Sequence, residues 1–296
     1  VVVFASGGVV ASGVGRVSAK LLNGVNYTVK IQGPFTYTTQ ITAREGEVRI
    51  QVPTGRLSAV VTDGFGRVRD WPVEIAGVAG GSGRVGPVEV LAGRYVVRTK
   101  AFGREFAKEV EVGVGSNAEV RVEVPTAAVS AVVLDGFGRV RNDWPVEIAG
   151  VASGAGRIGP VEVLAGRYTA RAVVFGREFS QEAEVKPGIN ETIRIQIPTA
   201  AIDVSVVDNN GNSVKPDAVF LKGPVEARLD KLSGVEVLAG RYVLEVAAGG
   251  RIIRKEIELK PGEHAFVAVT VEAAPTSSPA TPPALPTATT QATATR

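Results

Sequence analysis

The sequence predicts an all-β fold built from tandem Greek-key β-sandwich domains. Short runs such as 120–124 alternate apolar and charged residues, which is the two-residue period of a half-buried strand. Gly, Pro, Asn and Asp interrupt these runs at intervals of about 8–12 residues, the turn spacing of sandwich proteins. No stretch of the 296 residues carries an apolar period of 3.6 long enough for a helix.

Internal repeats organise the chain. An aliphatic residue followed by Pro-Thr occurs at 52–54, 124–126 and 197–199, so that Pro53, Pro125 and Pro198 are 72 and 73 residues apart. Self-similarity at a fixed period indicates a tandem array of structural units. We therefore predict five segments: an incomplete sandwich at 1–52, sandwiches at 53–124, 125–196 and 197–272, and a Thr/Pro/Ala-rich tail at 273–296.

The first segment lacks part of the repeated pattern. Residues 1–7 align with the strand around Trp71 and Trp144, but nothing in 1–52 matches the first strand and turn of the later repeats, 127–139. A sandwich without its first strand exposes unpaired strand edges, which must be covered or will recruit a strand. Two explanations stay open. A strand of another subunit, from the 286–296 tail or from upstream of Val1, completes the sandwich and gives an open head-to-tail filament; or this sequence is a fragment that lacks the strand.

The composition excludes much enzyme chemistry. The chain has no Cys, one His and a nearly even balance of 33 basic and 30 acidic residues. Thiolate nucleophiles, Cys-ligated or multi-histidine metal sites and a basic nucleic-acid footprint are therefore not expected. The motif Gly-x-Gly-x-x-Gly at 81–86 and 154–159 precedes a proline and a strand instead of a helix, so no nucleotide site is predicted. We predict no catalytic residue, cofactor or metal ligand, and we interpret His264 as a solvated turn residue.

The motif Leu-x-Gly-x-Tyr ends at Tyr95, Tyr168 and Tyr242. A Tyr placed just after a Gly turn at the start of a strand returns its hydroxyl to the preceding backbone, which is the tyrosine corner of sandwich proteins. Together with Val-x-x-Asp-x-x-Gly and Pro-Val-x-Ile, this pattern resembles carboxypeptidase regulatory-like domains, which are prealbumin-like (Ig-like) sandwiches. Tandem copies with a Ser/Thr/Pro tail resemble surface proteins of hyperthermophilic archaea, and the lack of Cys and Met fits a thermophilic protein.

The resemblance implies an extracellular, non-enzymatic role, since this domain is a structural or binding accessory in that family. We predict a structural protein of the cell surface, a rod or filament subunit that self-associates head to tail or forms a surface layer. The alternatives are an adhesion module that binds carbohydrate or protein, and an accessory region of a larger surface enzyme. Residues 1–15 are apolar but too short to cross a bilayer, and we expect no transmembrane segment.

Several surface residues are candidate sites. Phe65 and Phe137 occupy turn tips, and with Trp71 and Trp144 they have no counterpart in the last repeat. This predicts contact between neighbouring domains; the alternative is that each Phe folds back onto its own sandwich.

The sequons at Asn26 and Asn190 predict N-glycosylation. The turn aspartates also admit calcium, although Asp is common in turns in any case; they are Asp63, Asp70, Asp135 and Asp143. The tail predicts an O-glycosylated stalk or linker, with a strand at 287–295 as the alternative.

Overall fold

A computed structural model describes residues 1–5 and 7–272, which form 25 β-strands and no helix. By its internal contacts the chain divides into two compact units. The first comprises Val1–Val132, Pro145–Ala172 and Ser180–Ile195, and the second comprises Val133–Trp144, Val173–Phe179 and the chain from Gln196 onward. The division falls inside the third repeat, and the domain limits read from the repeats stay a prediction.

The first repeat forms a single four-stranded antiparallel sheet in the order β2-β1-β3-β4. Strand β1 pairs with β2 on one side and with β3 on the other, where Val3 lies opposite Val29. The strands are β1 (Val2–Ala5), β2 (Gly8–Ser12), β3 (Asn26–Gln32) and β4 (Thr36–Thr42).

The second repeat forms a seven-stranded sheet in the order β10-β9-β6-β7-β8-β5-β11. It folds over on itself at β7 and β8, which are joined through the pair Ser82–Arg84, and its two halves enclose one apolar core. The strands are β5 (Thr54–Thr62), β6 (Pro72–Ile75), β7 (Ala79–Ser82), β8 (Arg84–Leu91), β9 (Gly93–Ala101), β10 (Arg104–Val112) and β11 (Asn117–Glu123).

The third repeat has the same strands divided into two sheets, β15-β12-β18 and β14-β13-β16-β17. Its first strand alternates strictly: Ala127, Val129, Ala131 and Val133 are all buried. The strands are β12 (Thr126–Leu134), β13 (Pro145–Ile148), β14 (Ala152–Ala155), β15 (Arg157–Leu164), β16 (Gly166–Val174), β17 (Arg177–Val185) and β18 (Asn190–Gln196).

The fourth repeat also has two sheets, β22-β19-β25 and β21-β20-β23-β24. Side chains of both sheets, including Ile202 of β19 and Leu244 of β23, form one buried core, as a sandwich requires. The strands are β19 (Thr199–Asp208), β20 (Ala218–Lys222), β21 (Ala227–Arg228), β22 (Val235–Leu238), β23 (Gly240–Ala248), β24 (Arg251–Leu259) and β25 (His264–Val271).

The first strand of each complete repeat is the centre of its three-stranded face. In the second repeat β5 pairs antiparallel with β8 and parallel with β11, and in the fourth β19 pairs in the same way with β22 and β25. The prediction of an all-β chain of tandem sandwiches is confirmed in the residues described.

The predicted tyrosine corners are confirmed. The hydroxyls of Tyr95, Tyr168 and Tyr242 each donate a hydrogen bond to the carbonyl oxygen of the Leu four residues earlier, at 2.7, 2.6 and 2.7 Å. Burial raises the pKa of all three phenols. Within the described residues there is no helix long and apolar enough to span a membrane.

Candidate functional site: an unfilled groove and a repeated joint

The inner face of the first sheet opens into a groove of about 1060 Å³. Its floor is the apolar face of β1, β3 and β4, including Val3, Val29 and Ile41, and its walls are the segments 15–21 and 43–50. The corresponding space in the later repeats is occupied by the three-stranded sheet. The first repeat therefore has one layer of a sandwich and only the outer parts of the second.

The two walls correspond to strands that flank the missing one. The segment 48–53 (VRIQVP) repeats 193–198 (IRIQIP), and residues 15–17 (GRV) repeat 156–158 (GRI), which belong to β18 and β15. In the third repeat these strands lie on either side of β12. In the first repeat 17–22 and 44–53 form no strand, and no strand of the described residues lies between them to pair with either.

Three aliphatic side chains at 48–52 are less buried than their counterparts in the complete repeats. Val48, Ile50 and Val52 are half-exposed. Their counterparts in the complete repeats are at most 4% exposed; these are Val120, Val122 and Val124, and Ile193, Ile195 and Ile197. Among the described residues, the fully buried core of the first repeat has four members, against thirteen in the second and sixteen in the fourth, so this sheet has the least buried core of the three.

A second feature is a joint at which the turn after the first strand meets the following repeat. Inside the first compact unit, the backbone N–H of Gly64 donates to the hydroxyl oxygen of Thr126 at 3.1 Å, and the carbonyl of Thr126 accepts from the N–H of Gly188. A Cβ at Gly64 would overlap the carbonyl oxygen of Thr126, so only Gly permits this approach.

Charged side chains also take part in the joint between the second and third repeats. Asp63 is fully buried, and its carboxylate accepts from the N–H groups of Phe65 and Arg67 and from the Arg67 side chain. Arg69 reaches both Asp63, at 3.4 Å, and Glu162 of the next repeat, at 2.9 Å. Burial acts to raise the pKa of Asp63, but hydrogen bonds from the Arg67 backbone and side chain outweigh it, so the pKa lies below its usual value.

The second compact unit contains the same joint between the third and fourth repeats. The N–H of Gly136 donates to the hydroxyl oxygen of Thr199 at 2.9 Å, and Arg141 pairs with Glu236. The Thr199 hydroxyl in turn donates to Glu236 at 2.9 Å. Here too a Cβ on the glycine would overlap the carbonyl oxygen of the threonine.

The second repeat carries the receiving half of a joint, on which no turn of the described part of the chain is docked. This socket consists of Thr54, Glu89 and Gly115, the counterparts of Thr199, Glu236 and Gly262. Its internal geometry is that of the socket in the fourth repeat: the Thr54 hydroxyl donates to Glu89 at 2.9 Å, as Thr199 does to Glu236, and the N–H of Gly115 donates to the Thr54 carbonyl at 2.7 Å. Thr54 is half-exposed, whereas Thr126 and Thr199 are fully buried.

The fourth repeat keeps the turn but not the joint. Asp208 accepts from the N–H groups of Asn210 and Asn212, as Asp63 does in its own turn. Asn209 replaces the glycine that approaches the next repeat, and Val214 replaces Arg69. This turn therefore lacks both the close-approach residue and the bridging guanidinium.

The aromatic residues predicted as inter-domain contacts pack largely within their own repeats. Trp71 meets Phe102 edge to face at 6.0 Å, and Trp144 meets Phe175 at 6.2 Å. Phe65 and Phe137 are half-buried and carry the guanidinium of the arginine two residues later over their rings. The joint contacts described above come from Gly64, Arg69 and their counterparts, and a role of the four aromatic side chains between domains stays a prediction.

His264 differs from its predicted setting. It is the first residue of β25 instead of a turn residue, its Nε2 lies 3.0 Å from the carboxylate of Asp203, and its ring stacks on Phe266. The Gly-rich motif at 81–86 lies on the β7–β8 hairpin, and that at 154–159 spans the end of β14 and the start of β15. Among the described residues, no group of three or more His, Cys, Asp or Glu is placed to hold a metal.

Both predicted glycosylation sites are exposed. Asn26 begins β3, where its side-chain oxygen accepts from the Thr42 hydroxyl at 2.7 Å, and Asn190 begins β18. Their modification stays a prediction. The predicted stalk or strand at 273–296 lies outside the described residues.

The fold and the site define an all-β chain of tandem sandwiches whose first described sheet borders an open groove. No protein-family model matches it, and no curated protein does. Among solved structures it is similar to the Bacillus anthracis TIE protein, at 15% identity over 86% of this chain and 62% of that one, with a TM-score of 0.24. The chain thus spans less than two thirds of that protein's length.

Two further likenesses are to pilins. A streptococcal ancillary pilin is 14% identical over 75% of this chain and 99% of that one, with a TM-score of 0.25. The major pilin subunit of Bacillus cereus is 13% identical over 74% of this chain and 99% of that one, with a TM-score of 0.21.

Proposed function

We propose that this chain is a non-enzymatic, extracellular structural protein, the subunit of a cell-surface rod or filament. Copies join head to tail when a strand of one copy fills the groove in the first repeat of the next, which is donor-strand complementation. The observation that carries the proposal is the groove itself, between two strand-like segments whose shared partner is missing.

An inserted strand would find partners on every side. Its backbone would pair with 17–22 on one edge and 47–52 on the other, and it would cover the half-exposed Val48, Ile50 and Val52. Fully burying an aliphatic side chain is worth about 1.5–3 kcal/mol, so three half-exposed side chains give a substantial driving force. The interface is heterologous and does not close on itself, and such contacts generate open filaments.

The joints support a rod as the building block. At each one a glycine turn and an arginine–glutamate pair engage the next repeat, and a buried aspartate holds the turn in shape. We infer that they limit bending between consecutive repeats, since small sandwiches without disulfides gain stability from their neighbours. Glycans on Asn26 and Asn190 belong to this proposal as surface modifications.

A self-complemented variant tests the proposal. It carries a copy of residues 125–143, the first strand and turn of the third repeat, fused ahead of Val1 so that the groove is filled within one chain. We expect the unmodified protein to form filaments by electron microscopy and the fused variant to stay monomeric and melt at a higher temperature. The matched control has Asp in the fused copy at the positions of Val129 and Val133, and it should still assemble.

Two results would overturn the proposal. One is an unmodified protein that stays monomeric at every concentration. The other is a fused variant that assembles as well as the control, since a filled groove could not then be the site of joining. If instead a segment of the same chain ahead of Val1 supplies the strand, a longer form of the protein that contains this segment should be monomeric and as stable as the fused variant.

A further inference from the structure

The sequence pattern that opens the first strand of each complete repeat occurs once more, in the Thr/Pro/Ala-rich tail. An aliphatic residue followed by Pro-Thr opens the first strand of every complete repeat, at 52–54, 124–126 and 197–199, and the same pattern occurs a fourth time at 285–287. The match extends by one residue, because Pro-Thr-Ala at 286–288 is identical to 125–127 and 198–200. Residues 285–296 lie outside the described residues, so the comparison with the complete repeats is one of sequence alone.

The alignment also fits the two faces of the missing strand. In the third repeat the inward positions are Ala127, Val129, Ala131 and Val133, all at most 2% exposed. The aligned tail residues are Ala288, Thr290, Ala292 and Ala294, while Thr289, Gln291, Thr293 and Thr295 fall on the outer face. Small or β-branched residues alternate with polar ones, as a half-buried strand requires. The tail contains no charge along this stretch that would have to be buried.

Charge complementarity gives an independent argument. The aligned strand ends at Thr295, so Arg296 falls where Asp63 and Asp135 lie in the complete repeats. One guanidinium, that of Arg69, touches both Asp63 and Glu162, so an arginine placed at the Asp63 position is within reach of that glutamate. In the open socket of the second repeat the matching residue is Glu89, which is exposed and has Thr54 as its neighbour.

We propose that residues 286–295 of one copy are the donor strand for the groove in the first repeat of a second copy, with Arg296 on Glu89 of that copy. The strand would lie antiparallel to 17–22 and parallel to 47–52, as β5 lies between β8 and β11. This inference rests on the proposed function and names the segment that performs the joining.

The register gives a test in a protein that has no native cysteine. In the second repeat Ala59 lies directly opposite Val120, and the aligned pair in the filament is Ala292 of the donor opposite Val48 of the acceptor. Neighbouring strands lie about 4.8 Å apart, within the range of a disulfide. Oxidised Val48→Cys/Ala292→Cys should give a ladder of covalent multimers on a denaturing gel. The matched control, Val48→Cys/Thr293→Cys, turns the second thiol to the opposite face and should cross-link roughly tenfold less.

Two more variants separate this inference from the proposed function. Deleting 285–296 should abolish filaments while the far-ultraviolet spectrum of a β protein is kept, and a synthetic peptide of 285–296 should shorten the filaments of the unmodified protein. Arg296→Glu should reduce assembly, and Glu89→Arg/Arg296→Glu should restore it.

Each outcome has a distinct meaning. Filaments that persist without 285–296 would overturn the tail as donor and leave joining through the groove intact. A cross-link confined to the monomer band would show that the tail fills its own groove, which overturns the contact between copies. Equal cross-linking by the two cysteine pairs would refute the register. An unmodified protein that never assembles would remove the proposed function and this inference together.

Discussion

The backbone N–H of Gly64 is hydrogen-bonded to the hydroxyl oxygen of Thr126, in the next repeat, at 3.1 Å. The equivalent bond joins Gly136 to Thr199 at 2.9 Å. These two bonds show that the turn after the first strand of the second and third repeats docks on the repeat that follows. The turn and socket provide three predictions that do not depend on filament formation, and the groove provides a fourth that separates assembled from free protein.

Gly64→Ala should destabilise the first compact unit by about 2 kcal/mol, because the added Cβ meets the Thr126 carbonyl and the turn must withdraw. Chemical denaturation measures the loss. Gly80→Ala is the matched control: a Cβ there is 3.7 Å from the Val73 carbonyl, an ordinary contact, and the free energy of unfolding should change by less than about 0.5 kcal/mol. Equal effects of the two substitutions would contradict the joint.

Thr126→Val should cost about 1–2 kcal/mol of stability, because the Gly64 N–H loses its acceptor at a buried site. Thr54→Val removes the same hydroxyl from the open socket, where Thr54 is half-exposed and only the exposed Glu89 accepts from it. We expect little change there. Thermal unfolding of both variants makes the comparison, and a larger loss for Thr54→Val would be inconsistent with an unoccupied socket.

Acid should weaken the first joint through Asp63. The carboxylate is buried, and hydrogen bonds from Arg67 hold its pKa below the usual value against the opposing effect of burial. A lowered folded-state pKa gives stability that is present above the unfolded-state pKa, about 4, and is lost as the pH falls through the folded-state value. The facing charged groups, Arg67, Arg69 and Glu162, define the site.

Asp63→Asn should remove that contribution to stability. Melting temperatures of the variant and the unmodified protein should differ most near neutral pH and converge as the pH falls below about 4. The control is Asp70→Asn, because Asp70 is exposed and its substitution should change the melting temperature little at neutral pH. A constant difference for Asp63→Asn at all pH values would mean that its charge is not what stabilises the joint.

Val48→Ala should have different effects in the free and the assembled protein. Val120→Ala removes a buried side chain and should cost about 2 kcal/mol in either state. Val48 is half-exposed in the open groove, so its truncation should cost much less in the dilute, unassembled chain. In filaments the cost should approach that of Val120→Ala, measured as an increase in the critical concentration for assembly. A critical concentration that does not change would indicate that nothing covers Val48.

The sequence predicted the fold well because its signals are local and repeated. Alternation in β12, the Leu-x-Gly-x-Tyr motif and the period of 72–73 residues each depend on neighbours in the chain, and the structure bears out the strands and the tyrosine corners. The absence of a first strand from residues 1–52 stays a prediction, and the half-exposed Val48 and Ile50 are consistent with it.

The sequence directed attention to the turn at which the joint forms, but it did not predict which groups make the contacts. The aromatic tips drew attention to Phe65 and Phe137, whereas the hydrogen bonds to the next repeat are made by the backbone of the preceding glycines. Arg69 and Glu162 are 93 positions apart, and no local pattern links them. His264 is exposed, as expected, but its assignment to a turn was wrong, because the turn indicated by the nearby Gly262 ends one residue earlier and β25 begins at His264. Its pairing with Asp203 depends on a strand 61 positions earlier.

The arrangement of the two halves of the joint makes the inner repeats interchangeable. The second and third repeats each present an Asp-Gly-Phe-Gly-Arg turn and a Thr–Glu–Gly socket, while the fourth has Asn209 and Val214 in the turn and ends the series. Any number of copies of the inner type can therefore be inserted ahead of the fourth repeat with every junction matched. A gene of this design can lengthen or shorten its product by unequal recombination, in steps of one repeat, without evolving a new interface.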